Sequence, residues 1–251
     1  MMRAEYFVLI RGLVREARHW GIFPDILQKQ FPSTNILTPD IPGNGWLHDI
    51  TSPKTISGMT EALRRQIPVR NQLKLIALSM GGMIAIDWMT RYPEEIHSAV
   101  LVNTSARPFS PFYHRLRWAM YPKMLKMIFR SPHKKEADIL ALTSNRHGYD
   151  RELLEFWQQW QQQYPVSTAS AINQFCAAAK FFATTKPRQP ILIVTSKADR
   201  LVNYRCSLKL FQKWQTDYVQ HDTAGHDLPL DEPKWLADTI GQWIATSSHP
   251  S

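Results

Sequence analysis

The sequence predicts an α/β fold, in which a mostly parallel sheet carries helices on both faces and a helical segment is inserted before the last strands. The first observation is that short apolar runs alternate with helical patterns, at residues 6–10, 35–38, 73–78 and 99–102. The second is that this alternation stops between 105 and about 186, where the chain is helical and rich in aromatic and Met residues. The third is that an apolar run returns at 191–195. Alternating strands and helices are typical of a parallel sheet covered on both faces.

Each element has its own local signal. Residues 6–10 form a continuous apolar run, as expected of a fully buried parallel strand, and the run is too short for the apolar region of a signal peptide. Apolar residues at helical spacing predict a helix over 56–66, with Thr55 as its N-cap. Residues 217–220 predict the final strand, and the last helix is expected to begin near Pro233.

Composition bounds the kind of protein. Of the 251 residues, 44% are hydrophobic and 20% are charged, which is typical of a globular protein with a sizeable core. No apolar run approaches the ~20 residues that a membrane-spanning helix needs, so no integral membrane segment is expected. Cys176 and Cys206 have no metal-like spacing and are expected to be reduced thiols in a cytoplasmic protein.

Positive charge is concentrated in the inserted segment. The formal net charge is +9, and residues 105–135 contain eight Lys or Arg and no Asp or Glu. A basic patch attracts anionic partners such as nucleic acid, a membrane surface or an acidic protein, whereas the simpler interpretation is a solvated surface. The run contains no recognised nucleic-acid motif, so a nucleic-acid partner is not predicted.

A serine lies at a sharp turn between an apolar strand and a helix. Ser79 follows the strand 73–78, and small residues flank it at Ala77, Gly81 and Gly82. This segment resembles the nucleophile elbow of the alpha/beta-hydrolase family, which usually has Gly where this chain has Ala77. The resemblance implies that Ser79 is a catalytic nucleophile.

The same family supplies an acid and a histidine, in that order, after the serine. Asp199 follows the strand 191–195 and has Val202 three residues later, which matches the family's acid loop. His226 follows Gly225 and precedes a Glu-Pro pair, which matches the histidine loop. The resemblance therefore implies a catalytic triad of Ser79, Asp199 and His226. Three other residues could compete for the acid and base roles but lack the family's spacing: His221, Asp222 and Asp227.

The resemblance also implies an oxyanion hole. Arg11, Gly12 and Leu13 stand where the family usually carries a His-Gly dipeptide followed by the oxyanion residue. The main-chain N–H groups of Leu13 and Met80 are the implied donors, and Arg11 in place of His is expected to be a structural or surface residue.

The family usually begins with an antiparallel hairpin, and only five residues precede Tyr6, so this strand pair is predicted to be missing. The predicted division is a hydrolase core in two parts, 1–104 and 187–251, with a helical cap at 105–186.

A serine hydrolase is the predicted function, cleaving a carboxylic ester of a small to medium acyl chain through an acyl-enzyme, with no cofactor or metal. The expected partner is a small-molecule acyl ester. Two alternatives stay open. One is a carrier-protein-bound or other acyl substrate (thioester, lactone or methyl ester), and the other is a non-catalytic binding protein with a lapsed oxyanion site at Arg11. The predicted substrate contacts are aromatic: Trp20, Phe112, Trp118 and Tyr121.

An acidic carrier protein is the partner that the basic run would suit. Residues 118, 121, 125 and 128 fall at three- and four-residue spacing, which predicts an inward apolar helix face. Lys123, Lys126 and Arg130 lie off that stripe and are predicted to face outward. Alpha/beta-hydrolases that cleave pimeloyl-carrier-protein methyl ester have a cap of this kind, and this chain resembles them at the triad motifs.

Overall fold

A single sheet organises the protein. The computed structural model describes residues 5–128, 130–183 and 185–247. In these ranges six strands form one sheet with the order β2-β1-β3-β4-β5-β6, and every pairing is parallel. The strands are β1 (Glu5–Ile10), β2 (Thr34–Leu37), β3 (Leu73–Leu78), β4 (Ile96–Val102), β5 (Ile191–Ser196) and β6 (Asp217–His221).

The register aligns the carboxyl ends of the central strands. Leu78 at the end of β3 lies opposite Val102 of β4, and Val102 lies opposite Val194 of β5. Residues that follow these strands therefore meet at one edge of the sheet, which is where open parallel sheets usually build their sites.

Two hydrophobic clusters cover the two faces of the sheet. All six residues of β3 are buried, and successive residues point to opposite faces, so Leu75 joins one cluster and Ile76 the other. One face is covered by α2 (Ile56–Gln66), α3 (Met80–Arg91) and α9 (Arg205–Trp214). The other is covered by α1 (Phe23–Gln30) and α11 (Pro233–Ser247). The predicted α/β class is confirmed.

Most predicted boundaries agree with the structure. The helix 56–66 is confirmed, and the side chain of Thr55 accepts the N–H of Gly58 at 3.1 Å. Strand β4 begins at Ile96, three residues before the apolar run that predicted it. The reason is that His97 is exposed, so the first residues of the strand alternate between buried and exposed and form no continuous apolar run.

The segment 105–186, here called the insert, lies between β4 and β5 and contains helices. Its two ends meet, because the N–H of Ala183 donates to the carbonyl of Arg107 at 2.7 Å. The helices are α4 (Phe112–Arg115), α5 (Tyr121–Ile128), α6 (Pro132–Thr143), α7 (Arg151–Gln163) and α8 (Thr168–Lys180). A short helix, α10 (Leu228–Asp231), follows β6.

Polar contacts join the insert to loops at the carboxyl edge of the sheet. Gln174 of α8 accepts the N–H of Val14 at 2.8 Å, and its amide donates to Asn44 Oδ1 at 2.8 Å and Ser52 Oγ at 2.7 Å. At the end of α6, the carbonyl of Thr143 accepts the N–H of Asp227 at 2.9 Å. The insert therefore lies beside the loops that carry the predicted site. No helix in the described ranges is long and apolar enough to cross a membrane.

Candidate active site

Ser79 stands at the apex of the turn between β3 and α3 in a strained backbone conformation. Its φ is 57° and its ψ is −118°, a region that favours glycine. Main-chain bonds hold it there, because its N–H donates to Val102 O at 2.8 Å and its carbonyl accepts Thr104 Oγ1 at 2.7 Å. The side chain is half-buried and is not needed for these bonds. Such strain is often found where a side chain is held up for chemistry.

Glycines allow the turn to approach the end of β1. A Cβ on Gly81 would lie 2.3 Å from the carbonyl oxygen of Ile10, which is backbone and cannot yield. A Cβ on Gly12 would lie 3.2 Å from Cβ of Ser79 and 3.7 Å from its Oγ. The segment that starts at Arg11 therefore packs directly against Ser79.

Asp199 and His226 form a buried hydrogen-bonded pair. His226 Nδ1 lies 2.7 Å from Asp199 Oδ2, and the two residues are 5% and 2% exposed. The second carboxylate oxygen, Oδ1, accepts the N–H groups of Leu201 at 2.7 Å and Val202 at 2.9 Å. With its carboxylate fixed in this way, Asp199 orients the imidazole and favours the tautomer in which Nδ1 carries the proton.

Electrostatics make His226 more basic than an ordinary histidine. Burial lowers its pKa, but the nearby Asp199 carboxylate outweighs this effect, and the net pKa is raised above 6.5. Among the described contacts, its Nε2 has no hydrogen-bond partner, and no hydrogen bond joins it to Ser79. The structure therefore brings Asp199 and His226 into direct contact and leaves Ser79 as a separate group at the same edge. In a ligand-free site, catalytic hydrogen bonds are often long.

Asn103 links the end of β5 to the histidine loop, and sequence reasoning missed it. It follows β4, next to the end of β3, and its Nδ2 donates to the carbonyl of His226 at 2.8 Å. Its Oδ1 accepts the N–H of Ser196 at 2.7 Å. A buried polar residue directly after an apolar strand was the available signal.

Asp231 holds the histidine loop against the insert, and it is a second residue that the sequence analysis did not identify. One oxygen accepts the N–H of Gly225 at 2.6 Å and that of Asn145 at 2.9 Å. The other accepts Ser144 Oγ at 2.5 Å. Nothing in the local sequence distinguishes Asp231 from a surface acid at the start of a helix.

Two of the three predicted rivals, His221 and Asp222, are engaged elsewhere. Nδ1 of His221 accepts the N–H groups of Thr223 and Ala224 at 3.3 and 3.0 Å, which ties this ring into its own turn. Asp222 is exposed and accepts from Gln220 at 3.0 Å. Neither forms the contact that joins Asp199 to His226.

Comparison of the sequence with models of protein families shows which family this chain is related to. The model of the alpha/beta hydrolase family matches residues 7–239, which is most of the chain.

The chain belongs to the alpha/beta hydrolase family.

Individual relatives differ in what they are named for. The chain is 25% identical over 256 aligned residues to the biotin biosynthesis bifunctional protein BioHC of Teredinibacter turnerae, covering 94% of this chain and 44% of that protein. It is 33% identical over 112 residues to the homoserine O-acetyltransferase of Pelobacter propionicus, covering 41% of this chain and 30% of that protein. The chain thus spans less than half the length of either relative.

A solved structure gives the same fold. An esterase from Thermogutta terrifontis superposes with a TM-score of 0.75 at 18% identity, covering 97% of this chain and 90% of that one. At this identity the likeness concerns the fold.

Leu13 and Met80, the predicted oxyanion residues of this alpha/beta hydrolase, each adjoin a residue of the Ser79 turn or its packing partner. Leu13 follows Gly12, which packs on Ser79, and Met80 is the first residue of α3. Both N–H groups are free of protein acceptors among the described residues.

Trp20 is not accessible to a substrate, which corrects its prediction as a substrate contact. Its ring is 1% exposed and stacks on Phe23 with 5.7 Å between centroids, inside the cluster on the α1 and α11 face. The 3-10 helix Ala17–Trp20 turns this side chain into the core. An aromatic residue near a loop gives the same sequence signal whether it faces the core or a pocket.

The predicted inward face of the insert is also corrected. Trp118 is 75% exposed and Tyr121 is 42% exposed, so these rings face solvent. Phe112 is 72% exposed and stands edge-on to Tyr113 with 5.5 Å between centroids. The side chains of Leu125 and Ile128 lie outside the described part of the structure. Helical spacing predicts which residues share a face, but it does not predict what covers that face.

No metal-ligand cluster of three or more His, Cys, Asp or Glu occurs in the part of the chain that the structure describes. Cys176 and Cys206 are both free thiols. Burial raises the pKa of Cys206 to about 11, so this thiol is a poor nucleophile.

Proposed function

We propose that this alpha/beta hydrolase is a serine carboxylesterase for small to medium acyl chains. The observation that carries the proposal is the buried hydrogen bond between Asp199 and His226, at the sheet edge where Ser79 is held in a strained turn. The division of the chain into core 1–104, cap 105–186 and core 187–251 is part of this proposal.

In the proposed reaction, Ser79 Oγ attacks the ester carbonyl carbon while His226 Nε2 takes the hydroxyl proton. The N–H groups of Leu13 and Met80 stabilise the oxyanion that forms. The tetrahedral intermediate expels the alcohol, which receives its proton from His226, and leaves an acyl-enzyme on Ser79. Water then attacks with His226 as base, and collapse of the second intermediate releases the carboxylic acid and restores Ser79. Asp199 stabilises the imidazolium in both halves.

An ester panel tests the substrate class. We expect hydrolysis of p-nitrophenyl esters from acetyl to palmitoyl to be greatest at short and medium chains and to disappear in Ser79→Ala. A panel in which no ester gives Ser79-dependent turnover would contradict the proposal and would favour a non-catalytic binding role. Transfer to an alcohol instead of water, as the name of the acetyltransferase relative suggests, would appear as product ester when an alcohol acceptor is added.

A carrier-protein-bound ester is the second candidate, and a basic cavity favours it. A cavity of about 510 Å³ lies between α5, α6 and the loop after β5. Five of its lining residues are cationic and one is acidic, and the acid, Asp138, is paired with Arg130 at 2.9 Å. The cationic residues are Arg117, Lys123, Lys126, Arg130 and Arg200. One relative, the bifunctional protein BioHC, is named for biotin biosynthesis.

Charge reversal separates the two substrates. In Lys123→Glu/Lys126→Glu, kcat/KM for an ester on an acidic carrier should fall about tenfold or more at low salt, because electrostatic steering is lost, while a free neutral ester is unaffected. Raised salt should reduce the same difference, since the Debye length is ~8 Å at 0.15 M. Lys29→Glu/Lys213→Glu is the matched control, because both lysines are exposed on helices of the core. Equal effects of the two double variants would exclude a specific carrier site.

A further inference from the structure

A buried ion pair lies beside the candidate site, and the proposed reaction does not use it. Arg11 Nη1 and Nη2 donate to Asp227 Oδ1 and Oδ2 at 3.1 and 2.6 Å, and both residues are 3% exposed. The Arg11 guanidinium also stands 4.9 Å from the centroid of the Trp20 ring. Burying two charges is costly, and well-packed apolar residues often serve stability equally well, so stability alone does not account for the pair.

The pair joins two loops that carry different parts of the site. Arg11 directly precedes Gly12 and Leu13, the segment that packs on Ser79. Asp227 directly follows His226, and its N–H donates to the carbonyl of Thr143 in the insert at 2.9 Å. One bidentate contact therefore connects the segment of the proposed oxyanion donor, the histidine loop and the insert.

We propose that Arg11 and Asp227 are a positioning pair, which fixes the proposed oxyanion donor and His226 relative to each other around Ser79. This role rests on the proposed serine hydrolase function. It also gives Arg11, which departs from the family's usual histidine, a task in the site. A bidentate guanidinium–carboxylate contact fixes both distance and angle, which suits this task better than a single hydrogen bond.

The same two charges act on His226 in opposite directions. Burial lowers the pKa of His226, Asp199 and Asp227 raise it, and Arg11 lowers it. In the intact pair the contributions of Arg11 and Asp227 oppose each other. Removing one partner should therefore shift the titration of His226 in the direction set by the partner that remains.

Two single variants and their combination test the role. The acid limb is the part of the pH profile in which kcat/KM falls as His226 becomes protonated. In Arg11→Met this limb should move to higher pH, because the cation that lowers the pKa of His226 is lost while the Asp227 carboxylate, which raises it, remains. In Asp227→Asn the acid limb should move to lower pH, because the carboxylate that raises the pKa of His226 is lost while the Arg11 cation remains. The double variant Arg11→Met/Asp227→Asn should return the limb close to the wild-type position. All three should lower kcat about 10- to 100-fold with KM within threefold, because the reacting groups are misplaced.

The double variant leaves no unpaired charge, so it decides the outcome even where a single variant does not fold. The matched control is Arg64→Met/Glu95→Gln, because Arg64 and Glu95 form a second bidentate pair, with distances of 3.0 and 2.5 Å, at the opposite end of the sheet. This control should leave kcat and the pH profile unchanged. A double variant at Arg11 and Asp227 with wild-type kcat overturns the positioning role alone. A wild type without Ser79-dependent turnover overturns the proposed function and this role with it.

Discussion

Replacing Ser79 by alanine should lower kcat by about 10⁶-fold on any ester that the wild type hydrolyses. The reason is that the hydroxyl supplies the atom that forms the acyl-enzyme, and loss of the nucleophile from a triad costs about this much. Steady-state hydrolysis of the best p-nitrophenyl ester, with kcat and KM determined separately, measures the effect.

The fold should tolerate this change. The hydrogen bonds that hold the strained turn come from the main chain of Ser79, and alanine makes the same ones. The melting temperature and circular dichroism of Ser79→Ala should therefore match the wild type. The control is Ser57→Ala, which removes a hydroxyl of α2 that donates to Asp87 of α3 at 2.9 Å and which should keep full activity. Residual kcat within a hundredfold of the wild type in Ser79→Ala would contradict the assignment.

Replacing Asp199 by asparagine should lower kcat by about 10⁴-fold at neutral pH. The amide retains the shape of the side chain and an oxygen for the N–H groups of Leu201 and Val202. It removes the negative charge beside His226 and can donate to Nδ1, which selects the wrong tautomer for a general base.

The pH dependence of activity should also shift in a defined direction in Asp199→Asn. Asp199 raises the pKa of His226, so in the wild type activity should be lost as pH falls through a value above 6.5. In Asp199→Asn that contribution is gone, burial continues to lower the pKa, and the acid limb should move to lower pH. Asp222→Asn, at the exposed rival acid, should leave both kcat and the limb unchanged. A larger loss in Asp222→Asn than in Asp199→Asn would show that the acid was misassigned.

Combining variants tests whether the residues act together. His226→Ala should cost nearly as much as Ser79→Ala, and the double variant should be little worse than either single one, because the groups act as a unit. Additive losses would indicate that Ser79 and His226 serve separate steps.

Local patterns predicted the sheet because buried parallel strands are continuous apolar runs. The start of β4 escaped this rule because exposed His97 interrupts the run. Ser79, Asp199 and His226 could be selected as candidates because each follows a strand or lies in a loop with family spacing. The structure adds the contact between Asp199 and His226, which no sequence pattern measures.

Contacts between distant segments could not be predicted. Arg11 and Asp227 are separated by 216 positions, and nothing in the local sequence of either residue indicates that it pairs with the other. Trp118 resembled a pocket residue and is exposed, whereas buried Gln174 of the insert bonds to two core loops. Which face of an inserted helix is buried depends on the elements that pack against it, and helical spacing does not predict those elements.

Covalent labelling by a fluorophosphonate tests the central claim, that Ser79 is a nucleophile activated by His226 and Asp199, most directly. Intact mass followed by peptide mapping should find one adduct per chain, on Ser79. The adduct should be absent in Ser79→Ala, and in His226→Ala it should form at least a hundredfold more slowly while both variants remain folded. An adduct that maps to another residue, or labelling that survives in Ser79→Ala, would contradict the account.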